Sequence, residues 1–260
     1  MSEVQVALLL SLSCVAALAA FGVAPYRDEF AGRVRRGAAA LLLIAILAVT
    51  VFLPLATFEG GDVLEPDTIW FPMVFAGHLL LVLFLAAWWR LRGDISLRRF
   101  LHLLPSNLTA KFAQGAAAGL IGWAAAVTIT GAAASALAYG SAAAEPAGLP
   151  PIMVWMAELP LLHKLAIICA AMTVEEAFFR GFLQPRVGLI LSSLLFACSH
   201  FSYGLPFMIV GVLVISIVLG TTFKRTGDLL PCIVAHGVFD AVQLLIVLPL
   251  AVKSWTAGLA

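Results

Sequence analysis

Charged side chains are scarce in this chain. Asp, Glu, Lys and Arg make up 11% of the 260 residues, against roughly 25% in an average soluble domain. Hydrophobic residues account for 63% of the sequence, and the mean hydropathy is +1.07. This composition excludes an ordinary soluble domain and predicts a protein whose main partner is the lipid bilayer. The formal net charge of +1 gives no indication of a nucleic-acid partner.

Cysteine is also rare, and its spacing is uninformative. The four cysteines include no Cys-x-x-Cys pair, which excludes a thiol redox motif and gives no sign of a disulfide framework. The first apolar run lacks the basic residues that open a signal peptide and carries Glu3 instead. We therefore expect this run to be retained as a transmembrane helix.

Long apolar stretches dominate what is present. A helix needs about 20 apolar residues to cross a bilayer. Eight stretches qualify, at approximately 4–24, 37–57, 69–89, 112–139, 160–184, 187–203, 206–223 and 229–252. The predicted fold class is an all-α, polytopic membrane bundle of about eight helices. We divide it into an N-terminal three-span region, residues 1–110, and a membrane domain, residues 111–260, whose chemical motifs lie within 160–252.

The few charges are distributed unevenly between the loops. Basic residues follow the first, third, fifth and seventh stretches, whereas acids without basic residues follow the second and the fourth. The positive-inside rule places basic loops in the cytoplasm, so both termini are predicted to be external. The Ala- and Leu-rich composition is typical of a bacterial protein, and we expect a multi-pass protein of the inner (plasma) membrane. The basic residues are Arg27, Arg33, Arg35, Arg36, Arg90, Arg92, Arg98, Arg99, Lys111, Arg186, Lys224 and Arg225; the acids are Glu59, Asp62, Glu65, Asp67, Glu145 and Glu158.

Ionisable residues within the predicted spans concentrate in the second half of the chain. Such residues are costly in a membrane and usually mark a functional site. They form three groups on three predicted helices: Glu175 and Glu176 with Arg180, then His200, then His236 with Asp240. The N-terminal region has only His78 inside a span, and we interpret His78, His102 and His163 as packing or interhelical hydrogen-bond residues.

Helical spacing pairs several of these side chains. Residues four apart share a helix face, which pairs Glu176 with Arg180, His236 with Asp240, and Phe196 with His200. Glu175 is rotated away from Arg180 by more than a right angle. It is therefore the less neutralised carboxylate of the two.

Several chemistries could use this set. Glu175 could act as a general base on water, helped by His200, while His236 and a neighbour stabilise an oxyanion. A zinc ion bound by Glu175, His200, His236 and Asp240 could perform the same hydrolysis. Two further alternatives are bis-histidine haem ligation by His200 and His236, and a Cys232 nucleophile one turn from His236.

Taken together, the three groups resemble a known family. The run Glu175-Glu176-Ala177-Phe178-Phe179-Arg180 matches a Glu-Glu-x-x-x-Arg motif, Phe196 to His200 matches Phe-x-x-x-His, and His236 to Asp240 matches His-x-x-x-Asn/Asp. These motifs, in this order, resemble the CAAX protease and bacteriocin-processing (CPBP, or Abi) family of intramembrane endopeptidases, which is related to the prenyl-protein CAAX protease. The resemblance covers about residues 160–252.

The resemblance implies a helical bundle with a water-filled cavity open towards the cytoplasmic side. It implies that Glu175 and His200 activate water and that His236 and Asp240 stabilise the oxyanion. Glu176, Arg180 and Phe196 would support them. It favours a glutamate-type protease without a cofactor, with zinc as the alternative. Asp240 stands where the eukaryotic prenyl-protein proteases have Asn, so either Asp240 is protonated or it orients and charges His236.

Substrates are also suggested by the resemblance alone. Bacterial members of the family are associated with processing of exported peptides, with bacteriocin immunity, and with removal of C-terminal sorting tails from surface proteins. The predicted partner is therefore a membrane-anchored or exported protein or peptide. The alternative is a non-catalytic membrane scaffold or immunity protein that keeps the motifs for packing.

Overall fold

The computed structural model describes residues 2–20, 29–30, 32–56, 70–93, 95–104, 107–140, 151–201 and 206–258. All regular elements in these ranges are helices, and six of them are long and apolar enough to cross a membrane. The predicted fold class, a helical membrane bundle, is confirmed. Several residues that the charge distribution relied on lie outside the described ranges: Arg27, Glu59, Asp62, Glu65, Asp67 and Glu145.

Ten helices make up the described bundle, several of them with a short 3-10 or π-helical segment. They are α1 (Glu3–Ala20), α2 (Arg33–Ala56), α3 (Phe71–Arg92), the short α4 (Leu97–Phe100), α5 (Leu108–Gly140), α6 (Pro151–Glu158), α7 (residues 161–183), α8 (Gln184–Cys198), α9 (Pro206–Thr226) and α10 (residues 229–258).

Helices α7 and α8 form a helical hairpin. The chain turns at Gly188, whose φ of 81° is in the region that favours glycine. Beyond the turn, the Ser192 hydroxyl donates to the Phe179 carbonyl at 2.9 Å, and the Phe196 and Phe179 rings lie 4.9 Å apart. The two stretches predicted at 160–184 and 187–203 are therefore separate antiparallel arms. The second arm covers only about half of a 30 Å bilayer core, at 1.5 Å per residue, so the count of eight spans is approximate.

Cross-helix contacts define the helix directions. Arg180 of α7 bonds Ser216 of α9, and Gln184, the residue that follows α7, bonds Gly220 of α9. The contacts run in the same order along both segments, so α7 and α9 are parallel. His236 of α10 bonds Glu176 of α7. Cys232, which comes earlier in α10, contacts Leu219 of α9, which lies further along the shared direction of α7 and α9. Helix α10 is therefore antiparallel to both.

The basic loops meet at one end of the bundle, which we call the basic end. Arg92 and Arg186 lie 3.8 Å and 2.7 Å from the carboxylate of Glu29. Nearby, the Leu229 N–H donates to the His102 carbonyl at 3.0 Å. Burial, helped by the charges of Arg186 and Arg92, lowers the pKa of His102. The loops that the sequence predicted to share one side of the membrane are thus together in space.

Small residues allow α5 to pack closely on α9 and α10, as expected where glycines face a neighbouring helix. A Cβ atom built on Gly119 would lie 2.5 Å from the carbonyl oxygen of Ala235, and one on Gly115 would lie 2.6 Å from Cβ of Val234. These contacts hold the α10 backbone beside His236. The close approach positions one of the predicted site residues.

An aromatic cluster joins the N-terminal region to the hairpin. Phe84 and Trp88 of α3 pack edge-on against Phe182 of α7, with ring centroids 5.0 Å and 4.8 Å away. Phe178 is fully buried in the same cluster. Residues 1–110 and the helices that carry the motifs therefore share one hydrophobic core, and α3 lies directly beside α7.

Candidate active site

The motif residues of α7 lie in or directly between two π-helical segments. One π segment, Ala171–Glu175, ends at Glu175, and a second, Ala177–Leu183, carries Arg180. Turns of this type are often found at functional sites because the extra residue re-aims neighbouring side chains. Here the adjacent carboxylates of Glu175 and Glu176 have different partners and different surroundings.

Glu176 is the buried centre of an ionic network. Its side chain is fully buried, and its Oε1 lies 3.1 Å from Arg180 Nη1 and 2.9 Å from His236 Nδ1. Arg180 also donates to the Ser216 hydroxyl at 2.9 Å and lies over the Phe196 ring at 4.4 Å. The predicted pairing of Glu176 with Arg180 is thus present, and it links α7, α8, α9 and α10.

His236 is held through both ring nitrogens. A carboxylate only accepts hydrogen bonds, so Nδ1 carries a proton that it donates to Glu176. Nε2 lies 3.4 Å from Asp240 Oδ2, one helical turn along α10. The imidazole is therefore placed between two acids.

Glu175 is directed away from Arg180 and lies between two histidines. Its Oε1 is 3.1 Å from His78 Nε2, and its Oε2 is 3.9 Å from His200 Nε2. His78 of α3 thus makes an interhelical hydrogen bond, as its interpretation from the sequence allows, and its partner is a predicted site residue. An ionisable residue inside an apolar span was the available signal, but the sequence offers no indication of its partner 97 positions away.

The tautomer of His200 follows from its neighbours. Nδ1 lies 2.8 Å from the Phe196 carbonyl oxygen, one turn earlier. A carbonyl oxygen only accepts, so Nδ1 carries the proton, and in the neutral ring Nε2 is an acceptor. That nitrogen faces Glu175, and together they can receive the two protons of a water molecule.

Two cavities meet at Glu175 and His200. The first, about 200 Å³, extends between α6, α7, α9 and α10, and its polar lining includes His236, Asp240 and Gln243. The second, about 370 Å³, lies between α2, α3 and the α7–α8 hairpin and includes His78. Glu175 and His200 are therefore reached from both sides.

The cavities extend away from the basic end. Along α7 and α10 the lining of the first cavity continues from Glu175 and His236 to Ile167 and Leu248, which lie towards the opposite end of the bundle. Two sequence-based predictions therefore disagree: if the basic end is cytoplasmic, the cavities extend towards the external side. A cavity open to the cytoplasm would need the reverse orientation.

The other predicted chemistries find less support in the geometry. Within the described ranges, no three His, Cys, Asp or Glu side chains are placed to hold a metal ion. Both His236 nitrogens already face carboxylates, which leaves none for a haem iron. The Cys232 thiol is fully buried, contacts the Leu219 carbonyl at 3.5 Å, and lines neither cavity.

Comparison with known proteins locates the resemblance on these helices. Residues 157–242 match the family model described as type II CAAX prenyl endopeptidase Rce1-like. The predicted resemblance is confirmed for this segment. It contains every motif residue, from Glu175 to Asp240, and it excludes His78.

One curated relative is the uncharacterized protein YpbD of Bacillus subtilis (strain 168). It is 42% identical over 81 residues, which is 31% of this chain and 43% of the relative. The match thus spans less than half the length of that relative. No solved structure matches the chain at a significant level.

Proposed function

We propose that this protein is an intramembrane endopeptidase that hydrolyses a peptide bond in a membrane-anchored or exported substrate. The observation that carries the proposal is the placement of Glu175 and His200 at the meeting point of two cavities. An enzyme that cuts within a chain must hold substrate on both sides of the scissile bond. The Rce1-like match over residues 157–242 independently supports a protease of the CAAX type.

Water activation is assigned to Glu175. Oε2 of Glu175 and Nε2 of His200 are 3.9 Å apart, too far for a direct hydrogen bond. A water molecule in contact with both can donate one proton to each and direct its oxygen lone pair at the substrate carbonyl. Glu175 takes the proton as the C–O bond forms.

Stabilisation of the oxyanion is assigned to His236 and Asp240. His236 Nε2 and Asp240 Oδ2 lie 3.4 Å apart, and this contact is favourable only when the imidazole or the carboxyl carries a proton between them. We assign that proton to be presented to the tetrahedral oxygen. As the intermediate collapses and the C–N bond breaks, Glu175 returns its proton to the leaving amine. Glu176 and Arg180 hold His236 in place.

The lining of the two cavities indicates the type of substrate. Both cavities are lined mainly by apolar side chains such as Met208, Phe239, Val49 and Leu81, which suits an apolar segment close to a membrane anchor. A C-terminal sorting tail or an exported peptide has this character. We assign the protein to the inner membrane of a bacterium, with both termini external.

The test is substrate cleavage in membranes and then with purified protein. New protein termini should appear by mass spectrometry in cells with the wild type and not with Glu175→Gln, which keeps the shape and removes the base. With a peptide found in this way, Glu175→Gln should lower kcat by at least the roughly 10²–10⁴ contributed by general-base catalysis. Glu3→Gln, at an exposed position of α1, is the matched control.

Two outcomes would contradict the assignment of Glu175 as a metal-free base, and a third would contradict the proteolytic function. Full cleavage by folded Glu175→Gln would show that Glu175 is not the general base. Loss of activity after exhaustive chelation, restored by stoichiometric zinc, would replace the glutamate mechanism with the metal alternative. An absence of any substrate for folded wild-type protein would favour the non-catalytic scaffold or immunity protein.

A further inference from the structure

His78 lies outside the segment that matches the family and yet contacts the proposed base. It belongs to α3, whereas the match begins at residue 157. Its Nε2 is 3.1 Å from Oε1 of Glu175, and both side chains are mostly buried, with 17% and 14% of their areas exposed. The two helices are locked together by the aromatic cluster below this contact, in which Phe84 packs against Phe178 at 5.5 Å.

The contact makes the two oxygens of the Glu175 carboxylate unequal. Oε1 is occupied by His78, whereas Oε2 is buried and has no hydrogen-bond partner among the described residues. Oε2 is also the oxygen that faces His200 at 3.9 Å. One oxygen is thus anchored and the other is left for a proton.

The direction of the hydrogen bond follows from the reaction. A base must be ionised, and an ionised carboxylate only accepts, so Nε2 of His78 donates. Nδ1 of His78 is buried without a partner among the described residues. A neutral ring with its proton on Nε2 avoids a buried N–H at Nδ1, which would cost the full desolvation of a donor.

We propose that His78 is a positioning residue, supplied by the N-terminal region, that fixes the Glu175 carboxylate so that Oε2 faces the attacking water. The inference rests on the proposed function of Glu175. Without this donor the carboxylate rotates about its last bond and shares its time between orientations. Displacements of about 1 Å in such a site can cost about 10²-fold in rate.

The test compares two polar replacements of His78. Gln places an amide N–H close to the position of Nε2, whereas the shorter Asn does not reach the carboxylate. With the peptide substrate found for the wild type, His78→Asn should lower kcat by about 10- to 100-fold, the usual effect of a residue that orients a catalytic group, and leave KM unchanged. His78→Gln should stay within a few-fold of wild type.

His163→Asn is the matched control, because that imidazole packs against Phe71 with ring centroids 4.0 Å apart and lines neither cavity. It should keep the wild-type kcat. In the Glu175→Gln background, His78→Asn should cause no further loss, since the group that it positions is already gone.

If the variants fold, three results would overturn the inference: a wild-type kcat for His78→Asn, an equal loss for His78→Gln and His78→Asn, or a rise in KM alone. If neither variant folds, His78→Gln has failed to replace the imidazole, and the contact is structural. Each of these outcomes leaves the Glu175→Gln result unaffected, so the two proposals can fail separately.

Discussion

Arg186, at the turn of the α7–α8 hairpin, donates through Nη2 to both carboxylate oxygens of Glu29, at 2.7 Å and 2.9 Å. The two residues are 157 positions apart. The indole N–H of Trp88 donates to the same carboxylate at 3.1 Å, and the Arg186 guanidinium lies 4.0 Å from the centre of the Phe182 ring. An acid of the N-terminal region therefore anchors the hairpin that carries the site.

Loss of Glu29 should destabilise the bundle. Glu29→Gln leaves the mostly buried Arg186 without a counter-ion, and removal of one partner of a buried pair typically costs about 3–5 kcal/mol. We expect a lower thermal midpoint in detergent and less monodisperse protein. Glu3→Gln is the control, and an unchanged midpoint for Glu29→Gln would contradict this role.

Arg180 should matter mainly for folding. Its side chain is 1% exposed and interacts with Glu176, Ser216 and the Phe196 ring. Arg180→Ala should lower the yield of extractable folded protein by the same physical argument, with about 3–5 kcal/mol lost. Normal accumulation of a fully inactive Arg180→Ala protein would instead assign the pair to catalysis.

Asp240→Asn should retain activity. An amide at this position can donate to the oxyanion directly, whereas the carboxyl depends on the proton that it shares with His236 at 3.4 Å. We expect kcat within about 10-fold of wild type and an altered pH profile, measured with the same peptide. Complete loss with intact folding would show that a carboxylate is required and would strengthen the zinc alternative.

Gly188 should be sensitive to any side chain. Its φ of 81° and ψ of 171° form a combination that essentially only glycine adopts and that costs other residues about 1–3 kcal/mol, although a Cβ there would meet no atom within 4 Å. Gly188→Ala should therefore lower the thermal midpoint through backbone strain alone. Gly131→Ala is the matched control, because Gly131 is helical and equally open, and it should be neutral or slightly stabilising.

The orientation of the bundle can be read with cysteine labelling. In a variant whose native cysteines are replaced, a cysteine at Trp70, beyond the opposite end of α3, should react with an impermeant maleimide added to intact cells. A cysteine at Arg98, at the basic end, should react only after lysis. The reverse pattern would place the cavities on the cytoplasmic side and would make the charge distribution misleading.

The sequence alone determines that this protein is a helical membrane protein. Membrane insertion depends on hydrophobicity and charge, which are summed over each segment of the chain without reference to its tertiary contacts. Apolar length gives the spans, and the alternation of basic and acidic loops gives their relative directions. The pairs Glu176–Arg180 and His236–Asp240 were also predictable, since residues four apart on a helix face the same way. The two arms of the hairpin were recognised as separate stretches from the length of their apolar runs, at 160–184 and 187–203.

Contacts between distant residues were decided only by the tertiary structure. The bond from Glu176 to His236 spans 60 positions and that from His78 to Glu175 spans 97. No local rule relates such residues, because their proximity depends on how whole helices pack. From the sequence, His78 and His163 receive the same interpretation, yet one reaches the site and the other packs against the Phe71 ring.

The π-helical turns are a second feature that only packing decides. Four described π segments, at residues 48–52, 171–175, 177–183 and 243–247, each contribute side chains to the cavities. A π turn is less favourable than an α-helical one, and it is retained where neighbouring helices compensate. Local propensity favours a regular helix at these positions, whereas the packed bundle tolerates the extra residue that points Glu175 and Glu176 at different partners.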